Sequence, residues 1–494
     1  MRYALLTLLL VAPAVAHARL EPLAEVVELH QPASPLVSVR LMLSAGSVDD
    51  PTGKEGLAAL TGLMVGAAGT KKRPYKELTE ALYPMAASLQ VATDREVTVV
   101  SGEVHKDKLD AFTELLVEAV TQPGFMAEDL ERNRERLLSA LTTGLRSGSD
   151  ELLGLEAIQG VVFRGHPYEK PPEGTVAGLR AITADDVRGF HHVHFVQRRL
   201  MIGVAGGYPE GYPQRLAVAL AGLPAGEPRP SLPPGPAVSG RRVTIIDKAT
   251  ASVGIHVAHP LGVTRSDPDF VPLLVASSWL GEHRTFHGIL MRELRGERGL
   301  NYGDYTYVEH WADPPATSHP TPNRPRSRGM FSIWVRPVAP KNAHFALRAA
   351  LHFVDEAVKR GISQEELDAT RDFLTGYSKL WAQTGSRRLG FLMDSRFHGT
   401  PPWLDHLEAR LRELTPAEVN AAMRKHLHVD GWEAVIVSDK AAALAEALRS
   451  DAQSPITYEA DVPERVRRAD AVIQGRALAP LDVRVVPVGE LFER

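Results

Sequence analysis

Residues 46–70 read GSVDDPTGKEGLAALTGLMVGAAGT. An Asp-Pro pair and two glycines, Gly53 and Gly56, lead into an apolar run in which Leu57, Leu60, Leu63 and Met64 recur at helical spacing. That is the pattern of a helix with one buried stripe. Within it, Ala59, Gly62 and Leu63 offer no side chain able to ligate a metal or carry a proton. Gly62 also costs about 1 kcal/mol relative to alanine in a helix interior.

Working outward, the chain repeats itself. Thr98 to Leu141 reads as an alternating strand, an amphipathic helix, a turn at Gly124 and a second helix. Met330 to Leu374 gives the same order, with Gly361 at the turn. Between the copies, 223–242 (LPAGEPRPSLPPGPAVSGRR) is rich in proline and glycine and reads as an exposed linker. Ser363 with Glu366, Thr415 with Pro416 and Glu418, and more weakly Thr183 with Asp186 form capping boxes that start helices. The expected fold is α+β: two homologous halves, each a mainly antiparallel sheet packed by helices on one side. The halves run over 19–222 and 243–453, with a tail over 454–494 expected as an extended arm on the body or on a partner. The proline-dense stretch 313–328 reads as a surface loop.

Composition narrows the function classes. The net charge of −4, without a long basic tract, gives no basis for nucleic-acid binding. With no cysteine, disulfides, thiolate ligands and thiol nucleophiles are excluded. Residues 1–18, MRYALLTLLLVAPAVAHA, have one arginine, an apolar run and a small-x-small site at Ala16–Ala18, as in a secretory signal. The run is shorter than the roughly 20 residues of a spanning helix. We therefore expect a periplasmic or secreted protein, cleaved near Ala18, without a stable membrane span.

The 46–70 segment resembles the zinc-site segment of the pitrilysin/insulysin metallopeptidases, GSxxDPxGKxGLAHFLEHMLFKGT. HPYEKPPEGT (His166 to Thr175) and ITADDVRGFHHVHF (Ile182 to Phe195) are similar to further motifs of that family, and the likeness extends over roughly 22–492. In active members, the resemblance implies, an inverted H-x-x-E-H supplies two zinc ligands and the general base. Those positions here are Ala59, Leu63 and Gly62, and the third ligand's position is Ala140, beside Ser139. All are degenerate, so no metal is expected in this chain. The pairs His283/His287 (beside Glu282) and His426/His428 and the cluster His191/His192/His194 have no carboxylate at family spacing and are not taken as substitutes.

The second half keeps the family's other active-site element, LRxxxGLxY, within MRELRGERGLNYGDYTY. Arg295 and Tyr302 carry it, seven positions apart, while Arg292 and Arg298 read as solvated flanks. Read alone, the segment also suits surface charge and core aromatics. The resemblance instead implies the non-catalytic half-clamshell of a two-chain peptidase, whose homologous partner holds zinc and whose substrate is a peptide. Ala87 to Thr93 aligns with a strand that pairs with substrate backbone in active members, and a structural role serves it equally. The alternative is a structural or binding protein of the same fold with no peptidase role. An active stand-alone peptidase is the third reading and the least supported by these residues.

Overall fold

The computed structural model describes residues 23–237, 240–282, 285–309, 319–458 and 461–494. The expected signal (1–18), His283 and the stretch 313–318 lie outside the described residues.

Strands rich in β-branched residues build two sheets of the same design. In the first, β1 (Glu25–His30), β2 (Leu36–Leu43), β3 (Gln90–Thr93), β4 (Thr98–His105) and β5 (Leu200–Gly206) lie in the order β1-β5-β2-β4-β3. The second comprises β6 (Arg241–Asp247), β7 (Val253–Leu261), β8 (Gly303–Tyr307), β9 (Gly329–Val338), β10 (Trp432–Ser438) and β11 (Leu481–Pro487). Its order is β11-β6-β10-β7-β9-β8. The β1–β5, β6–β10 and β6–β11 pairs are parallel and the rest antiparallel. Strand for strand, the second half repeats the first and adds β11.

Each sheet buries one face against helices of its own half. The helices Leu57–Gly66, Leu109–Thr121 and Ala184–His194 cover the first sheet, and Phe270–Leu280, Ala343–Arg360 and Pro416–His426 cover the second. The other face takes one helix from the opposite half. Helix Asp150–Val162 lays Leu153, Ala157 and Ile158 on Ile246, Ala258 and Val435 of the second sheet. Helix Gly385–His398 lays Leu389 and Met393 on Val27, Met42 and Ala205 of the first. Glycines make both crossings possible. A Cβ at Gly154 would overlap the ring of His256, and one at Gly203 would overlap the sulfur of Met393.

The three capping boxes form as the sequence suggests. One expectation needs correction and another is made specific. Of the proline-dense stretch, the described residues 319–328 do not lie on the surface: Pro322, Asn323, Pro325 and Arg326 are buried between the halves. Arg326 donates from Nε and Nη2 to the two oxygens of Asp94 at 3.0 and 2.6 Å. The tail, expected as an extended arm on the body or on a partner, lies on the body and is partly helical. It contributes helix Glu464–Ile473 and β11, then returns to the first half, where Phe492 and Glu493 carbonyls accept from the amides of Val176 and Ala177 at 2.9 and 3.0 Å.

Asp94, Arg95 and Glu96, in the β3–β4 connection, are at most 5% exposed, and all are partnered. Arg95 pairs with Glu156 of the first crossing helix, and Glu96 accepts from Tyr168, Arg229 and the amide of Ser327. Removing one member of such a buried pair strands the other charge, at a cost of about 3–5 kcal/mol. Arg326→Met should therefore lower unfolding stability in urea by about that amount. A loss below about 1 kcal/mol would show that the junction does not rely on the pair.

Candidate functional site

The frame of the 46–70 segment is retained for structural reasons. Asp50 caps the motif helix, accepting from the amides of Gly56 and Ala58, each at 2.7 Å. Burial pushes its carboxyl up to about 8, and those amide bonds oppose the shift. Gly56 has φ of +104°, and a Cβ there would lie 2.7 Å from the Glu173 carbonyl. Lys54 pairs with Asp186 on the capping box of the Ala184–His194 helix. Asp, Lys and Gly at these positions thus tie the helix to the 173–186 segment, whatever its centre does.

The centre is closed. All ten residues of Leu57–Gly66, Thr61 included, are buried, so the helix is enclosed on every side and not merely along a stripe. A Cβ at Gly62 would meet Thr93 Oγ1 at 2.8 Å, Thr98 Cγ2 at 3.2 Å and Val91 Cγ2 at 3.3 Å. One turn later, a Cβ at Gly66 would meet Val91 Cβ at 2.9 Å. Glycine at both positions lets the helix lie directly on β3 and β4. Ala59 and Leu63 fill the ligand positions with apolar volume at 7% exposure each. Ala140 begins a widened helical turn, Ala140–Gly148, that continues helix Ala127–Ser139. These residues do not fit a zinc ion.

No group of three His, Cys, Asp or Glu residues that could hold a metal exists among the described residues. Of the histidines noted in the sequence, His191, His194, His426 and His428 have partners of their own. His191 shares a hydrogen bond with the Val120 carbonyl at 2.9 Å, and burial pulls it down to about 4. His194 lies beside Asp49 and Arg199, His426 is 2.8 Å from Asp269, and His428 stacks on His259. Glu282 is buried, accepts from Ser278 Oγ at 3.1 Å, and is pushed up to about 8 by burial.

Arg295 and Tyr302 are brought together. Arg295 sits in the helical turn Met291–Gly296 and Tyr302 just before β8. The guanidinium carbon stands 4.5 Å from the Tyr302 ring centroid, a cation–π stack. Tyr302 is 61% exposed, with its amide donating to the Arg336 carbonyl at 3.3 Å. Beneath them Asp304 is fully buried and accepts from Asn301 Nδ2 at 2.5 Å. Burial pushes the Asp304 carboxyl up to about 7, while the Asn301 bond and the Arg295 charge pull the other way.

One flank differs from expectation. Arg298 is buried, and its Nε donates to Asp470 at 2.8 Å and its Nη1 to the Glu293 carbonyl at 2.7 Å. Arg292 is solvated, as expected. Sequence reasoning missed Phe286, whose ring centroid is 6.0 Å from the Arg295 guanidinium. A lone phenylalanine outside the LRxxxGLxY pattern gave no signal.

Residues 25–171 match the family described as Insulinase (Peptidase family M16), and residues 181–374 match the domain described as Peptidase M16 inactive domain. The chain is 23% identical over 368 residues to an uncharacterized zinc protease of Streptomyces coelicolor, covering 72% of this chain and 75% of that protein. It is 24% identical over 423 residues to the non-peptidase homolog YmxG of Helicobacter pylori, covering 82% and 90%. A probable mitochondrial-processing peptidase subunit beta of Arabidopsis thaliana matches at 23% over 248 residues, covering 49% and 46%. Among solved structures, a peptidase M16 inactive domain from Pseudomonas fluorescens superposes with a TM-score of 0.75 at 23% identity, covering 84% and 95%.

The packing of Gly62 reverses a usual rule. Gly→Ala in a helix interior ordinarily stabilises by about 1 kcal/mol. Gly62→Ala should instead destabilise this chain by about 1–3 kcal/mol through overpacking against Thr93 and Val91. Restoring the family residues at positions 59, 62 and 63 (Ala59→His, Gly62→Glu, Leu63→His) should yield a chain without stoichiometric zinc by metal analysis. A stabilising Gly62→Ala, or a zinc-loaded triple variant, would show that the helix is free to move off β3.

Proposed function

Given that this chain belongs to the insulinase (M16) peptidase family and has lost that family's zinc-site residues, we propose that it is the non-catalytic subunit of a two-chain zinc metallopeptidase. The zinc ligands and general base belong to a homologous partner. This chain completes the substrate chamber and supplies Arg295 and Tyr302.

The observation that carries the reading is the contrast between the two halves. Positions 59, 62 and 63 are buried and filled, whereas Tyr302 is exposed with Arg295 stacked on it. A guanidinium stays charged throughout the accessible pH range and donates several hydrogen bonds to carbonyl or carboxylate oxygens. The Tyr302 phenol donates to an oxygen that gains charge as a peptide carbonyl is attacked. Stacking holds the guanidinium plane in place, which lowers the entropy lost on binding. Asn301 and Asp304 fix the backbone on which Tyr302 stands. The description of the matched inactive domain agrees with a non-catalytic role, and the word subunit in the name of the mitochondrial relative is consistent with a multi-chain assembly.

We also propose that the protein works in the periplasm or outside the cell after cleavage near Ala18. Residues 1–22 lie outside the described set, and no helix among the described residues is long and apolar enough to cross a membrane. N-terminal sequencing of the secreted protein should begin at Arg19.

The test is reconstitution with a homologue that carries an intact H-x-x-E-H. The chain alone should be inactive on peptides, and the mixture should show chelator-sensitive hydrolysis. Arg295→Ala and Tyr302→Phe should each lower the mixture's turnover by about tenfold or more while co-elution on size exclusion persists. Unchanged turnover with both variants would remove the assigned role. A complex with no hydrolysis would favour a structural or binding protein of this fold.

A further inference from the structure

The Arg295–Tyr302 stack is one end of a larger surface feature. Phe286 is 67% exposed and Tyr302 61%, and Arg295 lies between the two rings at 6.0 and 4.5 Å. From this stack a groove runs past Met291 and Arg292, then over Ile289 to Phe373 on helix Gln364–Trp381. Its floor is apolar, with Trp279, Ile289 and Met291 each only 6% exposed. Exposed aromatics beside arginine over a buried apolar floor are the composition of a binding hot spot.

The charge of the groove selects among occupants. Arg292 pairs at 3.2 Å with its sequence neighbour Glu293, which also receives Arg298 at 3.3 Å. Glu366, on the far wall, is held by Arg360 at 2.8 Å and by the Ser363 amide at 2.9 Å. Asp304 is fully buried behind the stack and bonded to Asn301. Glu293 and Glu366 are therefore committed, and Asp304, bonded to Asn301 through one oxygen, acts on Arg295 through its charge. Arg295 itself has no ion pair among the described residues and stacks on two rings.

We infer that this groove binds an extended peptide segment in which an Asp or Glu carboxylate neighbours an aromatic or large aliphatic side chain. The carboxylate meets the open edge of Arg295, and the apolar side chain lies along Phe286 toward Phe373. The rings pre-orient the guanidinium, and a planar donor fork matches a carboxylate in two-point geometry. Phe286 thereby becomes a specificity-determining residue beside the Arg/Tyr pair. This inference rests on the reading of Arg295 and Tyr302 as substrate-contacting and names the substrate class that reading leaves open.

Binding is testable on the full chain without its partner. Three short fluorescent peptides of Gly/Ser background, amidated at the C-terminus, carry a central Glu-Phe, Gln-Phe or Glu-Ala. Fluorescence anisotropy at low salt should give the Glu-Phe peptide about tenfold tighter binding than either of the others. Its advantage over Gln-Phe should shrink as salt rises. Arg295→Gln should erase the Glu/Gln difference and keep the Phe/Ala difference, and Phe286→Ala should do the reverse. Both variants should keep the wild-type urea midpoint. Equal binding of the three peptides, no binding of any, or a Glu preference that survives Arg295→Gln overturns the inference. Because the partner is absent, such a failure leaves the two-chain activity untouched. Conversely, a mixture without hydrolysis does not alter what the anisotropy reads.

Discussion

The motif helix carries no side chain of its own at Gly62 and Gly66, where it lies against Val91, Thr93 and Thr98 of β3 and β4, and much of the first half is arranged around that contact. Its N-terminus is held by Asp50 and by the 173–179 segment packed over Gly56. Its C-terminus is held by Asn133, whose Nδ2 donates to the Ala67 carbonyl at 3.1 Å. A glutamate at position 62 needs room that the contact removes. At position 62 the absence of a glutamate and the tight seating of the helix go together, since Thr93 and Val91 leave no room there for a side chain.

The two halves are joined by exchange as well as by contact. Each gives one helix to the other's sheet, through Gly154 in one direction and Gly203 in the other. The buried pair of Asp94 and Arg326 closes the seam, and the tail adds a strand to the second sheet before returning to the first half. Close-packed interfaces of this kind resist gradual deformation. Arg295 and Tyr302 are accordingly carried by a half whose sheet is packed on both faces, which suits the role proposed for them.

Much of this was legible in the sequence, for reasons particular residues make clear. The repeat of strand, helix, turn and helix is local, and so are the capping boxes at Thr183, Ser363 and Thr415. The Asp-Pro and Gly-Lys frame around the emptied motif is legible because it serves the fold. Exchange of helices is a tertiary choice, and nothing in the apolar pattern of Asp150–Val162 says which sheet it covers. All-round burial of Leu57–Gly66 was missed because Ala59 and Gly62 do not count as stripe residues until their neighbours are seen. Pro322 to Arg326 reads as surface because proline and arginine usually are, and only Asp94 reveals otherwise. Arg298 was misplaced for the same reason, its partner Asp470 being far along the chain. Phe286 gained meaning only from its position beside Arg295.

In the proposed function, Tyr302 faces a substrate whose cleavage depends on another chain. The most direct measurement places p-benzoylphenylalanine at position 302 and irradiates the assembled complex with a labelled peptide. The partner in that complex carries glutamine for its motif glutamate, so the peptide is held uncleaved. The account predicts crosslinking to the peptide close to the bond that the active complex cuts, and competition by unlabelled substrate. A complex that binds the peptide yet gives crosslinks only within or between the chains would contradict it.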